Sequence, residues 1–464
     1  MRWILYNVLF AIAYAAMMPK FLLRMKKRGG YRAHFAERFG RYDPGTARRL
    51  AEKPRVWVHA VSVGEANLAG QVLAELRRRD PAASFVLSTT SSTGRAVCEK
   101  LVGPDDVCVY LPLDFPPCVR RALRAANVRA MVLVEAELWP NLLRALHRRG
   151  VPLLLANGRI SDRSAPGYRR LRFFFGPVLR LFDALLVQSE LDRGRLLAAG
   201  APADRTRVTG SIKFDVAPPA PEKIARARET LACAGIVPSA AAPGERSEPE
   251  GVVQHSAFSI QHSPIVLLGG STWPGEELAL ARAWRDALPA CPDARLVLVP
   301  RHFERAAEVA AELESAGFRV LRRSQAAADH QTTRPPDRET VLLVDTTGEL
   351  FALYALADLV FVGKTLAPNE GGQNMIEPAS LGRATLVGPH TENFKPAMEV
   401  FRREGAVLEV PDADALSREV SRLLSDASAR TALGARAAAA VAGSRGALAR
   451  TCDAIESVLS APRP

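Results

Sequence analysis

Glu65, Glu135, Glu137 and Lys213 stand where acid–base chemistry would be placed. Glu65 follows the apolar run Val56 to Val61 and then Gly64, where a strand gives way to a helix. In a parallel sheet that is the carboxyl edge, and a carboxylate there can take a proton from an attacking hydroxyl, given a suitable pKa and reach. An acid in a helix's first turn can also serve only to complement the helix dipole, and this motif alone does not separate the two roles. Glu135 and Glu137 follow another apolar strand, in LVEAELWPN at 133–141. Acids at such an edge rarely serve packing, but residues two apart on an extended segment face opposite ways, which argues against a paired dyad. Lys213, in GSIKFD at 210–215, has an apolar residue on each side. A cation there can neutralise a substrate carboxylate or a departing phosphate, unless it is taken by Asp215 or another acid.

A second group lies further along. The strand Leu359 to Val362 runs into a glycine-rich loop that opens a short helix bearing Asn374 and Glu377, with Pro378 in its early turns. Glycines before a helix start let backbone N–H groups and the positive helix end face a phosphate. A carboxylate one turn inside can accept two ribose hydroxyls. Glycines alone would mark an ordinary strand–loop–helix unit; together with Asn374 and Glu377 they favour a nucleotide site. Ser271 and Thr272, between Gly269-Gly270 and Gly275, form a turn suited to an anion. Arg301, after Pro300 and the strand Leu296 to Val299, can grip a phosphate bidentately. Gly348, Glu349 and Leu350 follow Val341 to Asp345 and offer further contacts. The shared position of these residues, each after a strand, is the signal. Gly363-Lys364-Thr365 ends like a P-loop, but Asp358 stands where the opening glycine belongs. No H-E-x-x-H occurs, and the six cysteines have no metal spacing, so no metal or cofactor is expected.

Positioning these residues requires two sheets. Short apolar runs alternate with helical patterns from Val56 to Val208 and again from Ile265 to Val387, the pattern of buried parallel strands. Pro218, Pro219 and Pro221 mark a boundary, and the polar, alanine- and proline-rich stretch 238–264 reads as a flexible surface insertion. The expected domains are an anchor and basic segment at 1–32, an acceptor-side Rossmann-like domain at 33–216, and a nucleotide-binding one at 217–440. A last helix at 441–464 is expected to cross back to the first domain. Two such α/β halves imply a central cleft between their strand carboxyl ends.

The chain has 464 residues and a net charge of +13, so an anionic partner is expected. Aromatic content is only 6%, and no zinc-finger or aromatic-basic signature points to nucleic acid. The N-terminus explains the charge better. Trp3 to Met18 is nearly all apolar, with Asn7 its one strongly polar side chain, and Pro19 and a basic cluster follow. As a helix this run is about 24 Å long, short of the roughly 30 Å hydrocarbon core. Charges placed after the apolar run argue against a cleaved signal peptide and put the bulk of the chain on the cytoplasmic side. The expectation is an uncleaved inner-membrane anchor, spanning or interfacial, reinforced by anionic lipid.

Taken in order, HAVSVGE at 59–65, EAELWPNL at 135–142, NGRISDRS at 157–164, GSIKFD at 210–215, GSTWPGEE at 270–277, PRHFER at 300–305, GEL at 348–350, GGQNMIEPASLG at 371–382 and GPHTENF at 388–394 resemble the 3-deoxy-D-manno-octulosonic acid (Kdo) transferases of lipopolysaccharide assembly. The similarity covers nearly the whole chain. It implies a GT-B glycosyltransferase moving Kdo from CMP-Kdo to a lipid A precursor. By resemblance Glu65 is the proton acceptor, and Glu135 and Lys213 are transition-state stabilisers. CMP would be held by Pro300 and Arg301, by Gly348, Glu349 and Leu350, and by Asn374, Met375, Ile376 and Glu377. Trp273 stands where the family usually has histidine, and the insertion is long for the family. The nearest rival is a membrane-associated GT-B transferase using a UDP-sugar and a lipid acceptor; a non-catalytic nucleotide-sensing scaffold is the rival from another class.

Overall fold

The computed structural model describes residues 2–28, 33–135, 137–236, 264–326 and 339–461. Residues 29–32 of the basic segment and 237–263, nearly all of the expected insertion, lie outside the described residues. The chain divides into two compact units, one from 1–215 with 445–464, the other from 216–444.

The first unit holds β1 (Arg55–His59), β2 (Phe85–Thr89), β3 (Val107–Tyr110), β4 (Val128–Val134), β5 (Leu153–Gly158), β6 (Ala184–Val187) and β7 (Thr206–Val208). They pair in the order β3-β2-β1-β4-β5-β6-β7, all parallel. Apolar cores lie on both faces, which is why the strands read as unbroken hydrophobic runs. On β1, Trp57 joins Met131 and Leu155 in one core, while Val56 and Val58 join Ala130 and Leu154 in the other. The helix Ala447–Ser460 completes this second core with Cys452 and Ile455. Asp215 fixes its start, its carboxylate accepting from the N–H groups of Gly446 (2.6 Å) and Leu448 (2.7 Å).

The second unit holds β8 (Ile265–Thr272), β9 (Ala294–Pro300), β10 (Arg319–Arg322), β11 (Thr340–Leu343), β12 (Leu359–Val362), β13 (Ala384–Val387) and β14 (Leu408–Glu409). The order is β10-β11-β9-β8-β12-β13-β14, again all parallel. In each sheet the winding changes direction once, between β1 and β4 in the first and between β8 and β12 in the second. Open α/β sheets take their ligands beyond the strand carboxyl ends at that point.

A helix runs from Arg2 to Arg28 with Pro19 inside it. One side docks on the first unit. The Tyr6 hydroxyl donates to the buried Asp114 carboxylate (2.7 Å), and Asn141 Nδ2 donates to Asn7 Oδ1 (2.7 Å). The Phe10 and Tyr14 rings meet Phe115 edge-on at 5.0 and 5.4 Å. Ile4, Leu5, Val8, Leu9, Ile12 and Met17 remain exposed. No described helix is long and apolar enough to cross a membrane. The spanning form of the expected anchor is therefore corrected, because the apolar run ends at Met18 before it reaches bilayer thickness.

Candidate active site

Glu65 is held at the carboxyl end of β1. Ser62 caps the helix Val63–Arg79, its Oγ accepting the Glu65 N–H (3.2 Å). The Glu65 carboxylate reciprocates, accepting from the Ser62 hydroxyl (2.9 Å) and the Val61 N–H (2.9 Å), a variant of the capping box. Burial raises its pKa above the ordinary carboxylate range, the Val61 N–H opposes this, and the charge of Glu135 raises it further. The residue thus fills the first-turn role and is also tuned toward accepting a proton.

Glu135, at the end of β4, is buried and has φ 64°. A side-chain-bearing residue held there is strained, and such strain persists where surrounding contacts over-determine the position. Those contacts are two cations: Lys213 Nζ lies 3.3 Å from Oε1, and Arg159 Nε donates to Oε2 at 3.1 Å. Lys213 therefore pairs with Glu135, while Asp215 serves the last helix. Asn157, at the end of β5 with φ 53°, accepts the Ile212 N–H at Oδ1 (3.0 Å) and so fixes the turn that carries Lys213. Glu137 forms no dyad with Glu135, as the spacing implied. It lies close enough to Glu65 that desolvation first, and the Glu65 charge second, push its pKa up to about 7. Reading the sequence missed Arg159 and Asn157 as working residues. Their signal was a polar Asn-Gly-Arg triplet closing a buried apolar strand.

In the second unit the expected nucleotide contacts follow β9, β11 and β12. Arg301 is exposed, and its N–H donates to Thr272 O (3.0 Å), tying the exit of β9 to that of β8. Gly348 has φ 89°, and the Glu349 carboxylate is taken by the hydroxyls of Thr230 (2.8 Å) and Thr346 (3.0 Å). Met375 and Ile376 are fully buried, main chain as well as side chain. Asn374 lies before the five-residue helix Ile376–Ser380, not within it. It bridges the turn, accepting the Ile376 N–H (3.1 Å) and donating to Glu377 Oε1 (3.0 Å). Burial pushes the Glu377 pKa up, opposed by Asn374 and by the nearby Arg301 charge.

The backbone donors expected for an anion are partly spent. Gly371 N–H goes to Glu392 Oε2 (2.8 Å) and Gly372 N–H to Lys364 O (2.9 Å). At Ser271 and Thr272 the turn is filled by the buried carboxylate of Glu276. It accepts from the N–H groups of Trp273 (2.9 Å), Lys364 (2.7 Å), Thr365 (2.8 Å) and Leu366 (3.0 Å). Those four donors are thus taken by the protein's own acid, and none of them belongs to Ser271 or Thr272.

The chain resembles known proteins in both sequence and fold. Residues 33–216 match the family model described as 3-deoxy-D-manno-octulosonic-acid transferase (kdotransferase). The chain is 35% identical to the 3-deoxy-D-manno-octulosonic acid transferase of Bordetella pertussis, over 93% of this chain and 94% of that protein. It is 30% identical to the Haemophilus influenzae enzyme of the same name, over 92% of each. Among solved structures, it resembles a UDP-GlcNAc 2-epimerase from Neisseria meningitidis (TM-score 0.55, 12% identity, 87% of this chain and 99% of that one) and a glycosyltransferase from Rickettsia africae (0.52, 13%, 88% and 100%). These likenesses speak for the fold, two all-parallel α/β units of the GT-B kind. With relatives this similar over nearly their full length, the chain belongs to the 3-deoxy-D-manno-octulosonic acid transferase family.

Proposed function

We propose that the protein is an inverting glycosyltransferase that moves Kdo from CMP-Kdo to a lipid A precursor (lipid IVA) in lipopolysaccharide core synthesis. One observation carries the reading: in a member of this family, Glu65 is fixed at the end of β1 and Glu135, bound by Lys213, at the end of β4. These are the two strands flanking the change of winding. Glu65 takes the proton of an acceptor hydroxyl as that oxygen attacks the anomeric carbon of Kdo and CMP leaves. The carbon–oxygen bond to the phosphate breaks as the new one forms, so the anomeric configuration inverts. Glu135 and Lys213 stabilise charge developing in the transition state. Arg301 and the segment Asn374 to Glu377 hold the cytidylate, with Pro300 and the Gly348 to Leu350 turn beside it in sequence-given roles.

Incubation with CMP-Kdo and tetraacylated lipid A precursor, followed by mass spectrometry, tests this. A product heavier by one or more Kdo units supports it, and absence of any adduct refutes it. CMP should inhibit and UDP should not, which separates the UDP-sugar alternative. The helix Arg2–Arg28 is proposed to lie in the interface of the inner membrane through Ile4, Val8 and Ile12, with both units on the cytoplasmic face. Acidic substitutions at those three positions should release the protein from anionic vesicles in flotation; undiminished binding would refute the interfacial role.

A further inference from the structure

We infer that Lys364 is a ligand for an anionic oxygen of the donor, held ready by Trp273; this rests on the donor reading above. The chain leaves β12 through Gly363, where an added Cβ would come within 2.5 Å of Ser271 O and Thr272 Cα, so the exits of β12 and β8 press together. That close approach sets Lys364 beside Trp273. Lys364 has φ 61°, an unfavourable region for a side-chain-bearing residue, and its main chain is pinned there by Glu276 on one side and Gly372 on the other. Its ammonium lies 4.8 Å from the Trp273 ring centroid, and the far side of the pair is bounded by His302, whose ring meets Trp273 edge-on at 5.4 Å.

Among the described residues no carboxylate pairs with the Lys364 ammonium, and the buried Trp273 indole N–H has no acceptor. Both polar ends of the pair are donors. A strained backbone and a ring placed under an ammonium hold a positive charge without giving it a counter-charge. The complement is an acceptor-rich anion, a phosphate or carboxylate oxygen. The location agrees: Trp273 follows β8 and Lys364 follows β12, the strands on either side of the change of winding, with Arg301 after the neighbouring β9. CMP-Kdo carries one anion of each sort, and CMP only the phosphate.

Lys364→Met keeps the stem and removes the charge, and Lys364→Arg keeps the charge. KM for CMP-Kdo should rise about ten- to a hundred-fold in the methionine variant, the worth of a charge-assisted contact, and recover in the arginine variant. If inhibition by CMP weakens in proportion, the oxygen is the phosphate's; if it holds, the sugar carboxylate's. KM and CMP inhibition both within two-fold of the unsubstituted protein would overturn the inference. A methionine variant with a lowered melting temperature and no arginine rescue would also overturn it, by making the residue structural. Failure of the unsubstituted protein to turn over CMP-Kdo would refute the donor reading instead; calorimetric CMP binding to both proteins would then decide the phosphate contact.

Discussion

Replacing Glu135 by glycine and by alanine separates stability from activity. Its φ of 64° is one that only glycine adopts without penalty, and the left-handed region costs other residues about 1–2 kcal/mol. Glycine gives back about 0.5–1 kcal/mol of that through its freer unfolded chain. Glu135→Gly should therefore be more stable than Glu135→Ala by about 0–1.5 kcal/mol. Both variants strip the same carboxylate from Lys213 and Arg159, so the loss of those two ion pairs cancels in the comparison. For a unit of this size, about 1 kcal/mol corresponds to roughly 2–4 °C in melting temperature. Neither variant can stabilise the transition state, so both should lose about 10²–10³ in kcat, the usual worth of a preorganised electrostatic group. Calorimetry and steady-state kinetics on the pair are the assay. An alanine variant more stable than the glycine one would refute the strain argument, and a glycine variant with near-native kcat would remove Glu135 from the chemistry.

Glu65→Gln should abolish transfer while leaving CMP affinity intact, and because burial holds the Glu65 pKa high, the acid limb of kcat/KM should fall above the ordinary carboxylate range; a flat profile down to pH 4.5 would contradict the base. Tyr6→Phe removes a donor from Asp114, whose pKa burial pushes up to about 6. A raised carboxylate pKa means stability is lost as pH rises through about 6, and a donor matters most to the ionised form, so the variant's cost of about 1.5–3 kcal/mol should show above pH 6 and shrink below pH 5 in thermal melts. Glu276→Ala strands four N–H groups at about 1–3 kcal/mol each, so it should unfold the second unit; a variant melting near the native temperature would show that water replaces the carboxylate.

The strands were legible because both faces of each sheet are covered, leaving plain apolar runs such as Val56–Val58 and Leu359–Val362. Strand β14 escaped notice because two residues carry no periodicity, and its place is set by pairing with Leu386 and Val387. Glu65 could be placed because Gly64 and Glu65 sit in the first turn of the helix that follows a strand. Arg159 could not, since its partner lies 24 residues earlier in the chain and only the adjacency of β4 and β5 brings them together. Asn374, expected on the helix, precedes it, because its Oδ1 takes the Ile376 N–H at the helix start. Lys364 was set aside as a failed P-loop, because its meaning comes from three strand exits rather than from its neighbours in sequence. Of the spanning and interfacial forms left open for the N-terminal anchor, no described helix is long and apolar enough for the first.

The Ala447–Ser460 helix makes the first unit discontinuous. Until those turns have been made, the helix Val63–Arg79 and strands β5 and β6 lack the cover that the Ala447–Ser460 helix gives them. The second unit, one uninterrupted stretch, is fully synthesised by then. The second unit is thus free to mature during translation, whereas the first, which bears Glu65, has to wait for residues made after the whole of the second before its core is closed.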